Sequence, residues 1–265
     1  MIGDPITTFF NHFDSTTLIG KVLRLPLKLI PKDHVTKIYF GPNRGQLWVV
    51  GSSVHGCWIG SYEQKKAALI VRACEIIGAA GIALDVGANA GYYTLLFSRF
   101  FSKGKVHAFE PLPSNIASIK TCIKLNQLHN VKVNEAAVSD KAGTARFLVN
   151  LTNSMGGISE KGDLEVAMLS LDEFASSHDV QRVDLIKMDI EGGELSALKG
   201  MSEIIKRHSK MVFFLATHSP EIHIECLKIL NAAGFSVQSI TDKPLAQTDE
   251  VIACRDIELL NKILA

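Results

Sequence analysis

The sequence predicts an α/β fold built on a doubly wound, largely parallel sheet. Short apolar runs alternate with helix-length amphipathic segments from Gly81 onward, the pattern of strands joined by helical crossovers. Glycine, proline and asparagine fall at the junctions. The third observation is Ala83-Leu84-Asp85-Val86, an apolar run that ends beside an acid. It passes through Gly87-Ala88-Asn89-Ala90-Gly91 into a helical pattern starting Tyr92-Tyr93-Thr94.

Residues 1–40 carry apolar groups at helix-like spacing, with Lys21, Arg24, Lys28 and Lys32 interleaved, while Pro26 and Pro31 rule out one long helix. The segment reads as a helical appendage packed on the core or on a second copy of the chain. Its alternative is a basic amphipathic stretch touching a membrane surface. Gly41-Pro42-Asn43-Arg44-Gly45 is turn chemistry, and Gln46 to Val50 reads as a strand. The glycine- and aromatic-rich strip from Gly51 to Glu63, with His55 and Trp58, reads as a loop lining a site. Residues 1–62 are therefore expected to form a helical and β extension, a lid or an oligomerisation element, in front of one domain over 63–265.

In that domain a helix is predicted from Glu63 to Ala80, then a strand over 82–86 and a helix to Phe101. A strand over 105–109 leads through Pro111 and Pro113 into a helix ending near Leu128, and a strand over 131–136 follows. Between Asp140 and Asp172 the pattern loosens. Thr144 to Asn150 reads as an extra strand, and Asn153 to Gly157 as a flexible loop. Val183–Met188 and Met211–Leu215 are further core strands, each followed by a helix, and Phe235–Ile240 with Glu250–Cys254 forms a hairpin.

The composition narrows the function. With 47% apolar and 21% charged residues the chain buries a sizeable core, and a net charge of +1 with no basic run gives no footprint for nucleic acid. The five cysteines lie far apart without a Cys-x-x-Cys pair, which points to free core thiols in a reducing compartment. No run reaches the roughly 18 apolar residues of a spanning helix, and no secretory leader is legible, so the expected location is the cytoplasm.

Gly87 and Gly91 mark a cofactor loop, since glycine permits sharp turns and close backbone approach. A dinucleotide fingerprint would need glycine where the chain has Asn89 and Tyr92, and the carboxylate of Asp85 would repel a pyrophosphate. The same carboxylate favours a sulfonium or ammonium. Lys105 to Phe109 ends in Glu110, where this topology places an acid on ribose hydroxyls. A cationic cofactor with a ribose fits S-adenosylmethionine (SAM).

Four motifs in order, Asp85 to Thr94, Phe109-Glu110-Pro111, Ala137 to Asp140 and Lys187-Met188-Asp189-Ile190-Glu191-Gly192, resemble the FkbM family of SAM-dependent methyltransferases. The resemblance spans roughly Gly81 to the end. It implies a Rossmann-like class I methyltransferase sheet of seven strands, the last antiparallel. It also implies SAM contacts at Asp85, Gly87, Asn89, Gly91, Tyr93, Thr94, Glu110, Pro111, Ser139, Asp140 and Asp189, with adenine near Asp140.

Acids and bases at strand ends are the candidates for chemistry. Asp189 stands nearest the methyl donor and orients the acceptor. His218, just past a core strand, is the candidate base, and His55 on the lid is its competitor. Asp189 and Glu191 have the chemistry to hold magnesium, but no ligand spacing is diagnostic and no metal site is assigned. The expected activity is O-methylation of a hydroxyl on a small molecule or glycan-type acceptor. A nicotinamide-dependent oxidoreductase and a non-catalytic nucleoside-binding module are the alternatives.

Overall fold

The computed structural model describes residues 26–149, 156–158 and 162–265. After a short 3-10 turn at Pro26–Leu29, β1 (Val35–Lys37) pairs antiparallel with β2 (Leu47–Val49). The helical expectation for 26–40 is thereby corrected. Pro26 and Pro31 withhold backbone donors, and the segment around Val35 and Thr36 finds a strand partner instead. The part of that expectation resting on Lys21 and Arg24 lies outside the described residues.

The strip read as a loop forms α1 (His55–Ile59), a helix stopped by Gly60 at φ +94. A Cβ on Gly60 would sit 1.8 Å from the Phe40 carbonyl oxygen, so only glycine closes this corner. The chain continues through α2 (Gln64–Ile77), β3 (Ile82–Val86), α3 (Tyr92–Phe100), β4 (Lys105–Phe109), α4 (Pro113–Leu125) and β5 (Val131–Asn134). Next come β6 (Ala137–Val138), β7 (Gly143–Val149), β8 (Gly156–Ile158), β9 (Leu164–Leu169) and α5 (Leu171–Ser177). The remainder is β10 (Leu185–Met188), α6 (Glu194–Lys199), α7 (Ser202–Arg207), β11 (Val212–Ala216), α8 (Pro220–Ala232), β12 (Ser236–Ser239), β13 (Glu250–Cys254) and α9 (Ile257–Leu264).

The main sheet has seven strands in the order β12-β13-β11-β10-β3-β4-β5, and the last strand, β13, runs antiparallel to both its neighbours. Its strands read as apolar runs because helices cover both faces. On one face Ala83, Val212, Phe214 and Ile252 pack with Ile70, Leu96 and Leu260 of α2, α3 and α9. On the other Leu84, Phe213, Leu215 and Val251 pack with Phe174, Leu198 and Leu230 of α5, α6 and α8.

Register places the site. Val86 lies level with Phe109 and with Met188, and Met188 with Leu215, so the residues that follow leave the sheet along one edge. That edge spans the switch point, where the chain winds from β3 to opposite sides of the sheet. The loosened region folds as a second sheet, β6-β9-β7-β8, over a small core of Leu112, Ala137, Phe147 and Val166. Gly156 and Gly157 belong to β8 rather than to a loop; residues 153–155 lie outside the described residues. The N-terminal segment is stitched on by Asn126, which exchanges hydrogen bonds with the Leu47 backbone at 2.7 and 2.9 Å. Among the described residues no helix is long and apolar enough to cross a membrane.

Candidate functional site

Beyond the carboxyl ends of β3, β4, β10 and β11 lies a cavity of about 410 Å³. Its floor is the loop after β3. Every N–H from 87 to 91 is taken by the protein itself. Gly87 and Ala88 donate to the Phe109 carbonyl at 3.0 Å, Asn89 to Glu110 Oε2 at 2.8 Å, Ala90 to Asn89 Oδ1 at 2.7 Å and Gly91 to the Ala88 carbonyl at 2.8 Å. A phosphate cradle needs such groups free, so the loop cannot serve a pyrophosphate as it stands. Gly87, at φ +77, passes so close to the chain after β10 that a Cβ would lie 2.0 Å from the Asp189 carbonyl oxygen.

Glu110 lines the cavity beside Pro111, and its Oε1 accepts from Leu112 N at 3.0 Å and Asn115 Nδ2 at 3.2 Å. With Asn89 on Oε2, three donors hold a carboxylate that offers about four lone-pair sites, which leaves acceptor capacity toward the cavity. Burial pushes its pKa up, and the donors only partly offset that. Next to it Leu112, Ala137, Val138 and Phe147 give an apolar wall.

The placement of the predicted cofactor residues divides them. Gly87, Asn89, Tyr93, Glu110, Pro111 and Asp189 line the cavity. Asp85, Gly91, Thr94, Ser139 and Asp140 do not. Asp85 is fully buried beneath the loop, where Thr94 donates to its Oδ2 at 2.6 Å and Lys187 Nζ stands 3.9 Å from its Oδ1. Its carboxylate braces the first turn of α3, and burial holds its pKa up against Lys187 and Thr94. Gly91, at φ +94, faces α4: a Cβ would meet Ile119 Cγ1 at 3.3 Å, and not ligand space. Asp140 is exposed, Ser139 donates to it at 3.2 Å, and Ala137 and Val138 are the members of that motif on the cavity wall.

Two buried lysines organise the acids. Lys187 Nζ donates to the Gly87 carbonyl at 2.9 Å and lies over the Tyr93 ring at 5.7 Å. Lys66, from α2, is 5% exposed and reaches Glu63 Oε2 at 2.8 Å, Glu250 Oε1, and Asp189 Oδ2 at 3.9 Å. Burial disfavours its charge, but Glu63, Glu250 and Asp189 outweigh burial and hold its pKa above the ordinary value. Tyr93 Oη donates to the same Glu63 at 2.8 Å. Asp189 is drawn below the usual carboxylate range: burial acts upward, and Lys187, Lys66 and His218 overcome it.

His218 closes the far wall. Glu194 Oε1 takes its Nδ1 at 2.7 Å and also accepts from Gly192 N at 3.0 Å. Its Nε2 stands 3.4 Å from both Asp189 Oδ1 and Glu191 Oε2. The hydrogen bond to Glu194 raises the imidazole pKa, burial opposes it, and the three carboxylates reinforce the rise. His55 does not line the cavity, although Ser53, Val54 and Cys57 beside it do; it meets Trp58 edge-on at 5.8 Å.

Sequence reasoning missed Lys66, Glu63 and Glu250, which look like ordinary solvated charges in their own segments. Glu194 carries no signal in the sequence beyond that of a helix-start acid stabilised by the macrodipole, yet the residue is fully buried on His218. Trp48 and Tyr92 were also missed. Both line the cavity, and among the described residues Trp48 Nε1 and Tyr92 Oη have no hydrogen-bond partner.

A family model described as the methyltransferase FkbM domain matches residues 85–237. Methyltransferase sdnD of Sordaria araneosa is 29% identical over 155 residues, covering 45% of this chain and 60% of that protein. Hexuronic acid methyltransferase AglP of Haloferax volcanii is 28% identical over 164 residues, 58% of this chain and 63% of its own. The 31-O-demethyl-FK506 methyltransferase FkbM of Streptomyces tacrolimicus is 23% identical over 203 residues, 63% and 77% of the two chains. The chain thus spans about three fifths of the length of the first two of these relatives.

Proposed function

The chain belongs to the FkbM methyltransferase family, and from that premise we propose that it is a SAM-dependent O-methyltransferase acting on a hydroxyl of a small molecule or glycan-type acceptor. The observation that carries the reading is the pairing, in one cavity, of a diol-binding acid with a loop closed to phosphate. Glu110 keeps acceptor capacity toward the cavity while every N–H from 87 to 91 is occupied. The oxidoreductase alternative finds no support in that geometry.

The residues fit SAM. The apolar wall of Leu112, Ala137, Val138 and Phe147 suits a flat base, and Glu110 stands between that wall and the loop for the ribose. The acids of the cavity suit a cation, and the orphaned donors of Trp48 and Tyr92 suit a ligand oxygen. When bound, SAM supplies a methyl group whose bond to sulfur breaks with its electron pair left on sulfur. Because that driving force comes with the donor, the protein's part is alignment and exclusion of water. Asp189 and His218, at the ends of β10 and β11, hold the acceptor hydroxyl. Ser53, Val54 and Tyr62 bring the N-terminal extension onto the same cavity, which supports its reading as a lid.

Relatives are named for methylation of a hexuronic acid, of 31-O-demethyl-FK506 and, as a 2-O-methyltransferase, NoeI of Sinorhizobium fredii. An acceptor panel of uronic acids, glycans and polyketide alcohols with methyl-labelled SAM tests the proposal. Label transfer to an oxygen, lost in Asp189→Asn with S-adenosylhomocysteine affinity retained, is the expected result. A chain that binds NAD and not SAM in calorimetry would overturn it.

A further inference from the structure

We infer that Asp189, Glu191 and His218 form a divalent-cation site, of the manganese class, whose open positions take oxygens of the acceptor. The inference rests on the methyltransferase reading for what the ion would hold, and on geometry alone for the ion. One ligand atom from each residue lies within 4.8 Å of the others. His218 Nε2 is 3.4 Å from a carboxylate oxygen on either side. Donors sharing one ion at about 2.1 Å stand roughly 3.0–3.5 Å from their cis neighbours, so only small side-chain adjustments separate this cluster from coordination.

An independent observation concerns the group behind the histidine. Glu194 is fully buried; one oxygen holds His218 Nδ1 at 2.7 Å and the other has no partner among the described residues. A carboxylate on one ring nitrogen is how ligating histidines are oriented. With the proton on Nδ1, the lone pair of Nε2 points at Asp189 and Glu191. Asp189 also divides its oxygens, Oδ2 toward Lys66 and Lys187 at 3.9 Å and Oδ1 toward the histidine.

Charge points the same way. Glu63, Glu110, Asp189, Glu191, Asp249 and Glu250 all line the cavity, and the buried cations among them are Lys187 on the wall and Lys66 behind it. Even with a singly positive cofactor the six carboxylates exceed these cations, and a divalent ion offsets most of the excess. Two carboxylate oxygens and one imidazole nitrogen leave about three of six positions open, a donor set suited to manganese better than to calcium. Vicinal hydroxyls or a carboxylate of a glycan would fill them. Two of the three ligands, Asp189 and Glu191, were legible as cation-binding acids in the sequence, and the third was not, because His218 comes from a different strand end.

The test uses Mn²⁺ itself on the full chain. Electron paramagnetic resonance follows the loss of the free-ion signal for wild type, Glu191→Gln and His218→Gln, with S-adenosylhomocysteine binding measured separately by calorimetry. The expected result is one Mn²⁺ per chain, weakened at least ~10-fold in each variant while nucleoside binding persists. A wild type that binds S-adenosylhomocysteine but leaves Mn²⁺ free, or binds it no better than the variants, overturns the metal site and spares the methyltransferase reading. A wild type that binds Mn²⁺ at the cluster and no S-adenosylhomocysteine supports the site and overturns the cofactor.

Discussion

Glu110→Gln removes one acceptor oxygen from a carboxylate that the structure shows under three donors: Asn89 N at 2.8 Å, Leu112 N at 3.0 Å and Asn115 Nδ2 at 3.2 Å. A glutamine has one carbonyl oxygen. It can keep the Leu112 side or the Asn89 side, and its amide then faces an N–H donor. Leaving one buried N–H unsatisfied costs about 1–3 kcal/mol, and losing a charge-assisted bond to a ribose hydroxyl costs about 1.5–3 kcal/mol of affinity. The first cost falls mainly on the loop and the second on the ligand. S-adenosylhomocysteine affinity should therefore fall by about 10- to 100-fold, with a smaller loss of thermal stability. Calorimetry with the 2′,3′-dideoxy analogue separates the two. Wild type should lose affinity for the analogue, and Glu110→Gln should lose little more, because variant and analogue remove the same bond. If Glu110→Gln weakens the analogue as much as the parent ligand, the residue acts through the loop and the ribose assignment is wrong.

Lys66→Met leaves Glu63, Glu250 and Asp189 facing one another without the buried ammonium between them. Removing one partner of such a set costs about 3–5 kcal/mol, which for a domain of this size lowers the melting temperature by roughly 10 °C; a drop under ~2 °C would mean that solvent already screens the acids. His107, in β4, has no hydrogen-bond partner on either ring nitrogen among the described residues and packs edge-on to Phe174 at 5.1 Å. Burial, with help from Lys132, Lys105 and His178, lowers its pKa to about 4. Between about pH 6.5 and 4 the unfolded chain takes up a proton that the folded chain refuses, so stability falls as pH drops through that window. His107→Phe should recover about 2 kcal/mol at pH 4.5 relative to pH 7.5 in urea unfolding, and equal pH dependence in both proteins would refute this.

The alternation of strands and helices was legible because each core strand is buried on both faces. Val183 to Met188 and Met211 to Leu215 match β10 and β11 to within two residues. The N-terminal segment was not legible, since its structure depends on partners far along the chain. Asn126 holds Leu47, and Gly60 must fit under Phe40 before α1 can end. Gly91 shows the limit of motif reasoning. Its left-handed backbone follows from the loop, but whether a side chain there would strike ligand or helix depends on where α4 packs, and Ile119 decides it.

The exclusion of a dinucleotide was reached from the sequence by charge, and the structure supports it by a different cause. Asp85 was read as an acid facing the ligand. It is instead sealed beneath the loop, with Thr94 on one oxygen and Lys187 near the other. What closes the loop to phosphate is the Phe109 carbonyl, which takes two N–H groups, and Glu110, which takes a third. In the proposed reading Glu110 therefore has two functions that the sequence shows as one: it offers an acceptor toward the ribose and it withdraws the Asn89 donor from a phosphate. Asp85 in turn fixes the loop that Glu110 caps, through Thr94 in the first turn of α3. A buried acid anchors the helix that follows the loop and a second acid caps Asn89 within it, and in the proposed reading the preference for a nucleoside without a pyrophosphate rests on those two groups.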